Sequence, residues 1–100
     1  MTLVEGFEFK EVQELPERKQ KAELILEDIG TMHTSVAYGL IYNDSGYPGV
    51  GRARWDNGTP IRTSSITDMV EFNGQYYIVT RNTIYRIIGR TLKVSHKEDV

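Results

Sequence analysis

Six arginines, Arg52, Arg54, Arg62, Arg81, Arg86 and Arg90, stand among the eight basic residues between positions 45 and 97, where only Asp56, Asp68 and Glu71 are acidic. A guanidinium is a planar fork of donors that grips phosphate or carboxylate through two parallel hydrogen bonds. This segment, with a local charge of +5, therefore has the chemistry of an anion or nucleotide site. Arginine can equally cover the polar face of a sheet with its stem on apolar neighbours. Two clusters beside it carry a second signal: Thr63-Ser64-Ser65 and Thr80-Arg81-Asn82. Small hydroxyls and an asparagine at strand ends can present donors to a ligand, or close turns locally. Trp55, Phe72, Tyr76, Tyr77 and Tyr85 lie close by. A base stacked on an exposed ring gains about 1–3 kcal/mol. Trp55 and Phe72, next to hairpin turns, are placed for exposure, whereas alternation sends several of the others inward.

Catalytic patterns are missing from the sequence. His33 and His96 have no second ligand at metal spacing. Ser64 and Ser65 have no histidine or lysine beside them to form a nucleophilic triad. Asp44, Asp56 and Asp68 fall in or near turns, where aspartate is expected for structural reasons. Gly46, Gly49 and Gly51 lack the Gly-Lys-Ser/Thr ending of a phosphate loop and read as a flexible loop. There is no cysteine, which excludes disulfide scaffolds, thiol catalysis and cysteine zinc sites. The expectation is a binding protein with no catalytic residue, no metal and no cofactor.

The elements that must position these residues can be read from periodicity. Phe7, Phe9 and Val12 alternate with charge in a glutamate-rich arm over 1–14. Ala22, Ile25, Leu26 and Ile29 fall on one helical stripe, with Pro16 suited to a first turn and Gly30 to a C-cap; this predicts a helix over 16–29. The period then becomes two. Val36, Tyr38, Leu40 and Tyr42 alternate with Ala37, Gly39 and Ile41, which predicts a strand near 34–43 buried on both faces. Residues 43–51 form a loop, and 52–55 read as a short strand before the turn signal Asp56-Asn57-Gly58. A strand resumes over 59–66, with Pro60 at an edge. Residues 68–72, Asn73-Gly74 and 75–80 make the clearest hairpin, since Asn-Gly supplies the positive φ values of a type I′ turn. Arg81-Asn82 is a tight corner before a last strand over 83–90. The predicted fold is α+β and mostly β: one N-terminal helix packed on a small antiparallel barrel or a strongly bent sheet of five to six strands. It forms a single domain over 1–100, with an acidic arm (1–14), a helix (16–29), an antiparallel β core (34–90) and a polar tail (91–100).

The stretch from 55 to 86 reads W-D-N-G-T-P-I-R-T-S-S-I, then F-N-G, then V-T-R-N-T-I-Y-R. Trp, Asn-Gly, Thr-Ser-x-Ile and Thr-x-Asn-x-x-Tyr in that order resemble small proteins of bacteriophages and prophages. Among those the resemblance is greatest to the Thoeris anti-defence one nucleotide-signal sponges. It covers about a third of the chain. The resemblance implies an oligomer with a small antiparallel β core that sequesters cyclic ADP-ribose-type or cyclic oligonucleotide signals without cleaving them. It implies that Phe72 stacks on a base and that Asn82 hydrogen-bonds a ribose or base. Arg90 is the nearest counterpart of that family's phosphate-gripping arginine, and its helical C-terminal region has no evident match. The candidate ligand contacts are thus Arg54, Trp55, Arg62, Thr63, Ser64, Phe72, Arg81, Asn82 and Arg90.

Length and charge set the remaining bounds. One hundred residues with a net charge of −2 allow one modest core, and assembly would add to its stability. Residues 1–28 hold eight acidic and four basic side chains, which opens a second reading: an inhibitor of a host defence protein acting through its acidic N-terminal segment. A third reading is an Sm-like nucleic-acid-binding ring, against which the pI near 5.6 speaks. No apolar run approaches the length of a membrane span, and the start lacks the pattern of a signal peptide. A cytosolic homo-oligomer that binds a phosphate-bearing small-molecule signal is the leading expectation.

Overall fold

A computed structural model describes residues 8–31, 34–46 and 49–91. Phe7, His33, His96 and most of the predicted tail lie outside them. Among the described residues there are seven strands: β1 (Lys10–Glu11), β2 (Gln20–Thr31), β3 (Ser35–Tyr42), β4 (Thr59–Arg62), β5 (Ile66–Phe72), β6 (Gln75–Thr80) and β7 (Thr83–Arg90). They form one mixed sheet in the order β1-β5-β6-β7-β2-β3-β4. Two of the pairings, β1 with β5 and β2 with β7, are parallel, so the predicted antiparallel barrel or sheet of five to six strands is corrected to a mixed sheet of seven among the described residues, while the strands within 34–90 pair with one another antiparallel.

The predicted helix over 16–29 is also corrected. Among the described residues no helix forms, and β2 runs through the same stretch at the centre of the sheet. Ala22, Leu24 and Leu26 are buried at a spacing of two. The register then shifts between Leu26 and Asp28. This bulge inserts one residue and resets the phase, so that Ile29 is buried as well. Ala22, Leu26 and Ile29, at spacings of four and three, also fit a helical stripe, but Ile25 of that predicted stripe is only partly buried and Leu24 is buried in its place. Hydrogen bonding to β3 on one side and β7 on the other decides for the strand. Gly30 is a strand residue rather than a cap. The predicted strand over 52–55 is irregular chain instead, and β4 stops at Arg62.

The sheet curls around one core. Leu24, Leu26, Ala37, Ile41, Ile78 and Tyr85 are buried on its inner face, and Ile61 of β4 and Met69 of β5 pack on the same cluster from near the sheet's two ends. The segment after β4 joins those ends: Thr63 N donates to Ala37 O at 2.8 Å, and the Thr34 and Ser65 hydroxyls bond at 2.9 Å. Phe9 enters the core and meets Tyr76 edge-on, with centroids 5.2 Å apart. The chain then passes the β5 edge, and a strap over 12–19 crosses the outer face, where Val12 and Leu15 pack on Val70, Val79 and Ile84. Asn73-Gly74 makes the expected hairpin turn, with φ of 52° and 79°. No helix among the described residues is long and apolar enough to cross a membrane.

Candidate functional site

One end of the curled sheet gathers the starts of β2 and β7, the end of β6 and the loop before β4. The corner between β6 and β7 is locked by its threonines. Thr83 N donates to Thr80 Oγ1 at 3.2 Å, and Thr80 Oγ1 donates to Thr83 O at 3.1 Å. Gln20 N donates to Asn82 O at 2.9 Å, which ties β2 to this corner. Arg18 Nε adds a 2.7 Å bond to Thr80 O.

The long β3–β4 connection is folded onto that end by Asp44. Its Oδ2 accepts from Gly46 N at 3.0 Å and from Arg54 N at 2.7 Å. Arg54 Nε donates to both carboxylate oxygens at 3.0 Å, and its Nη2 ion-pairs with Oδ1. Gly46 has φ of +78° and lies so close to the Arg52 carbonyl that a Cβ would collide with it. The Asp44 side chain is 0% exposed and that of Arg54 13%. Burial opposes the charge on Asp44, but the Arg54 side-chain and backbone bonds and the Gly46 amide outweigh it, and its pKa is lowered. Arg54 Nη1 reaches on to Gln20 Oε1 at 3.4 Å and Thr83 Oγ1 at 3.3 Å, and Thr83 Oγ1 donates to Gln20 Oε1 at 3.1 Å. Burial pushes the Tyr85 hydroxyl up, against the pull of the Arg54 charge and of hydrogen bonds with Thr83 and Arg54.

This buried network is the floor of a cleft of about 240 Å³. Five predicted residues line it: Arg54, Trp55, Arg62, Ser64 and Asn82. Trp55 is 46% exposed, and Arg62, Ser64 and Asn82 are exposed at the rim. Arg54 is present in a different role, since its fork is filled by Asp44. Asn82 also borders a hollow of about 410 Å³ framed by Arg81, Arg18, Lys19 and Glu17. An aromatic rim and a cationic hollow thus share one asparagine.

The other predicted residues lie elsewhere. Thr63 is buried outside the lining; its hydroxyl accepts from Ala37 N at 3.0 Å and donates to Ser64 O at 2.8 Å. Phe72 sits at the Asn73-Gly74 hairpin, one β6 length (about 17 Å) from the cleft. Arg90 closes the far end of β7 opposite Leu26. Sequence reasoning missed Gln20, Asp44, Thr83 and Tyr85. It also missed Arg18 and Lys19, which the helix prediction had removed from view.

A larger groove, about 420 Å³, runs between the strap and the outer face beside Leu15, Pro16, Tyr77 and Ile84. Of the four charged residues that line it, Glu23 and Arg86 are spent on one another. Glu23 accepts from Asn43 Nδ2 at 2.6 Å and pairs with Arg86, and these two partners, Asn43 foremost, lower its pKa. Arg86 Nη1 also bonds Gln75 Oε1 at 3.0 Å. The smaller cleft keeps exposed donors at its rim and is therefore the candidate site. Among the described residues no group of three His, Asp or Glu is placed to hold a metal ion. No family model, curated protein or solved structure matches the chain.

Proposed function

We propose that this chain is a non-catalytic binding protein for a phosphate-bearing small molecule, a sponge for a cyclic nucleotide or cyclic ADP-ribose-type immune signal. As a phage anti-defence factor it would act in the host bacterial cytosol. The observation that supports this reading is the pair of surfaces meeting at Asn82. Trp55 and Arg62 lie on one side of it, and Arg18, Lys19 and Arg81 on the other. A base stacks on Trp55 for about 1–3 kcal/mol, and phosphates meet the basic hollow. A cleft of 240 Å³ lies below the roughly 300–1,000 Å³ of complete small-molecule sites. One base or sugar fills it, and the remainder of the ligand extends into the hollow. Holding such a ligand requires no stabilisation of developing charge.

Titration calorimetry with cyclic ADP-ribose isomers and cyclic di- and trinucleotides tests this. Binding that is weakened in both Trp55→Ala and Arg81→Ala is the expected result. Absence of heat with every ligand at micromolar concentration rejects it.

The reading as an inhibitor of a host defence protein draws on one observation: Glu8, Glu11, Glu14 and Glu17 are all exposed along the arm and strap. Deleting 1–14 would also strip Phe9 and Val12 from the hydrophobic clusters. Replacing the four glutamates by glutamine is the cleaner test. Inhibition is lost under that reading, while small-molecule binding is kept under the first.

A further inference from the structure

The larger groove, of about 420 Å³, has walls that the fold itself holds apart. On one side the strap is pinned: Leu15 packs on the outer-face cluster, and Arg18 Nε bonds Thr80 O at 2.7 Å. On the other side β2 is tied to the β3–β4 connection. Lys21 N donates to Ser45 Oγ at 2.9 Å, and Ser45 N donates to Lys21 O at 2.8 Å. A groove formed before any ligand arrives costs little ordering on binding. Its volume falls within the roughly 300–1,000 Å³ of small-molecule sites, which combine apolar walls with a few polar groups that fix orientation.

Strand register shows how the floor is laid out, since directly paired residues share a face. One row across β6, β7 and β2 reads Val79, Ile84, Lys21, and the next reads Tyr77, Arg86, Glu23. The first row lies nearer the β6–β7 corner. Four charged residues line the groove, two of each sign. Glu23 and Arg86 neutralise one another. Glu17 and Lys21 are exposed, and among the described residues neither the carboxylate nor the ammonium meets a partner. Both belong to the corner end of the groove. Lys21 stands in the first row, and Glu17 precedes Arg18, which bonds the last residue of β6. Glu17 also borders the cationic hollow, where a phosphate gives its carboxylate nothing to bind.

A ligand with a single charge of either sign meets a like charge at that end as well as an opposite one, whereas one carrying both signs is complementary to the pair. We propose that the groove binds a free α-amino acid with a large apolar side chain. The Lys21 ammonium takes the carboxylate and the Glu17 carboxylate takes the α-ammonium. The side chain lies along Leu15, Pro16, Tyr77 and Ile84, which give the groove its apolar body. The site is separate from the nucleotide cleft, since Trp55, Arg62 and Asn82 do not line it.

Titration calorimetry of the full chain with L-phenylalanine, L-leucine and L-tryptophan tests it. At the efficiency usual for small ligands, binding is expected with a Kd on the order of 100 µM. Phenylalaninamide lacks the carboxylate and N-acetylphenylalanine lacks the ammonium; each should bind at least about 10-fold more weakly. Lys21→Met and Glu17→Gln should each weaken phenylalanine binding at least about 10-fold with Tm retained, since both residues are exposed. Trp55→Ala should leave it unchanged while weakening a nucleotide in the cleft, so the two readings stand or fall separately. Absence of heat with all three amino acids up to about 10 mM overturns the inference. Equal binding of the amide or the acetyl derivative overturns it too, because the groove then selects a ring and not a pair of charges. Indifference to both Lys21→Met and Glu17→Gln places the amino acid elsewhere and likewise overturns it.

Discussion

Replacing Asp44 by asparagine removes the charge that folds the long β3–β4 connection onto the sheet. The Asp44 side chain is fully buried and Arg54 nearly so. Without the carboxylate, the guanidinium loses its ion pair and is left buried among neutral partners, Gln20 at 3.4 Å, Thr83 at 3.3 Å and the Tyr85 hydroxyl among them. Breaking a buried pair from one side costs about 3–5 kcal/mol, because the other charge stays buried. A domain of this size loses roughly 4–8 °C of Tm per kcal/mol, so thermal unfolding should move down by at least about 12 °C. The double variant Asp44→Leu with Arg54→Met removes both charges and should recover part of the loss. It cannot recover all of it, because the amides of Gly46 and residue 54 lose their acceptor at about 1–3 kcal/mol each. A fall of less than about 5 °C in Asp44→Asn, corresponding to roughly 1 kcal/mol, would refute the role given to this carboxylate.

The same pair predicts a pH dependence. The folded pKa of Asp44 lies below its ordinary value of 3.8. Its stabilisation is therefore complete above that value and is lost as pH falls through the folded pKa. The gap in Tm between the wild type and Asp44→Asn should stay constant from neutral pH down to about pH 5 and narrow below about pH 4. A gap that narrows near neutrality would assign the effect to another group.

Trp55→Ala should weaken binding of any nucleotide ligand by about 1–3 kcal/mol and shift Tm by only a few degrees, since the ring is 46% exposed; calorimetry and a melting curve on one sample measure both. Phe72→Ala and Arg90→Ala, away from the cleft, should leave the same binding isotherm unchanged. Gly46→Ala forces a β-carbon into a left-handed conformation against the Arg52 carbonyl. It should cost more than about 2 kcal/mol of stability and abolish ligand binding, read by urea unfolding and calorimetry.

What could be read from the sequence was local. Asn73-Gly74 specifies its turn by conformational preference alone, and that hairpin stands where it was expected. Trp55, Arg62, Ser64 and Asn82 were found one by one as residues beside strand ends, and the curl of the sheet brings those ends together. What could not be read was non-local. Ala22, Ile25, Leu26 and Ile29 fit a helical stripe, Ala22, Leu24, Leu26 and Ile29 fit the inner face of a bulged strand, and only pairing to β3 and β7 separates the two. Asp44 looked like a turn aspartate, because nothing in the chain announces that its partner stands ten residues on. Parallel pairing of β2 with β7 joins residues some sixty positions apart, beyond any short-range signal.

The arginine bias that first suggested an anion site divides once the carboxylates are placed. Asp44 fills Arg54 and Glu23 engages Arg86, so these two hold the connection and the outer face in position. Arg18 spends its Nε on the Thr80 carbonyl. Arg62 and Arg81 are exposed on either side of Asn82. A guanidinium already saturated by a buried carboxylate cannot also grip a phosphate without opening that pair. The cations available to a ligand are therefore the exposed ones, and Arg54 contributes by fixing where the adjoining Trp55 stands. Counting arginines in the sequence overstated the positive charge of the site, and the surplus serves to hold its walls.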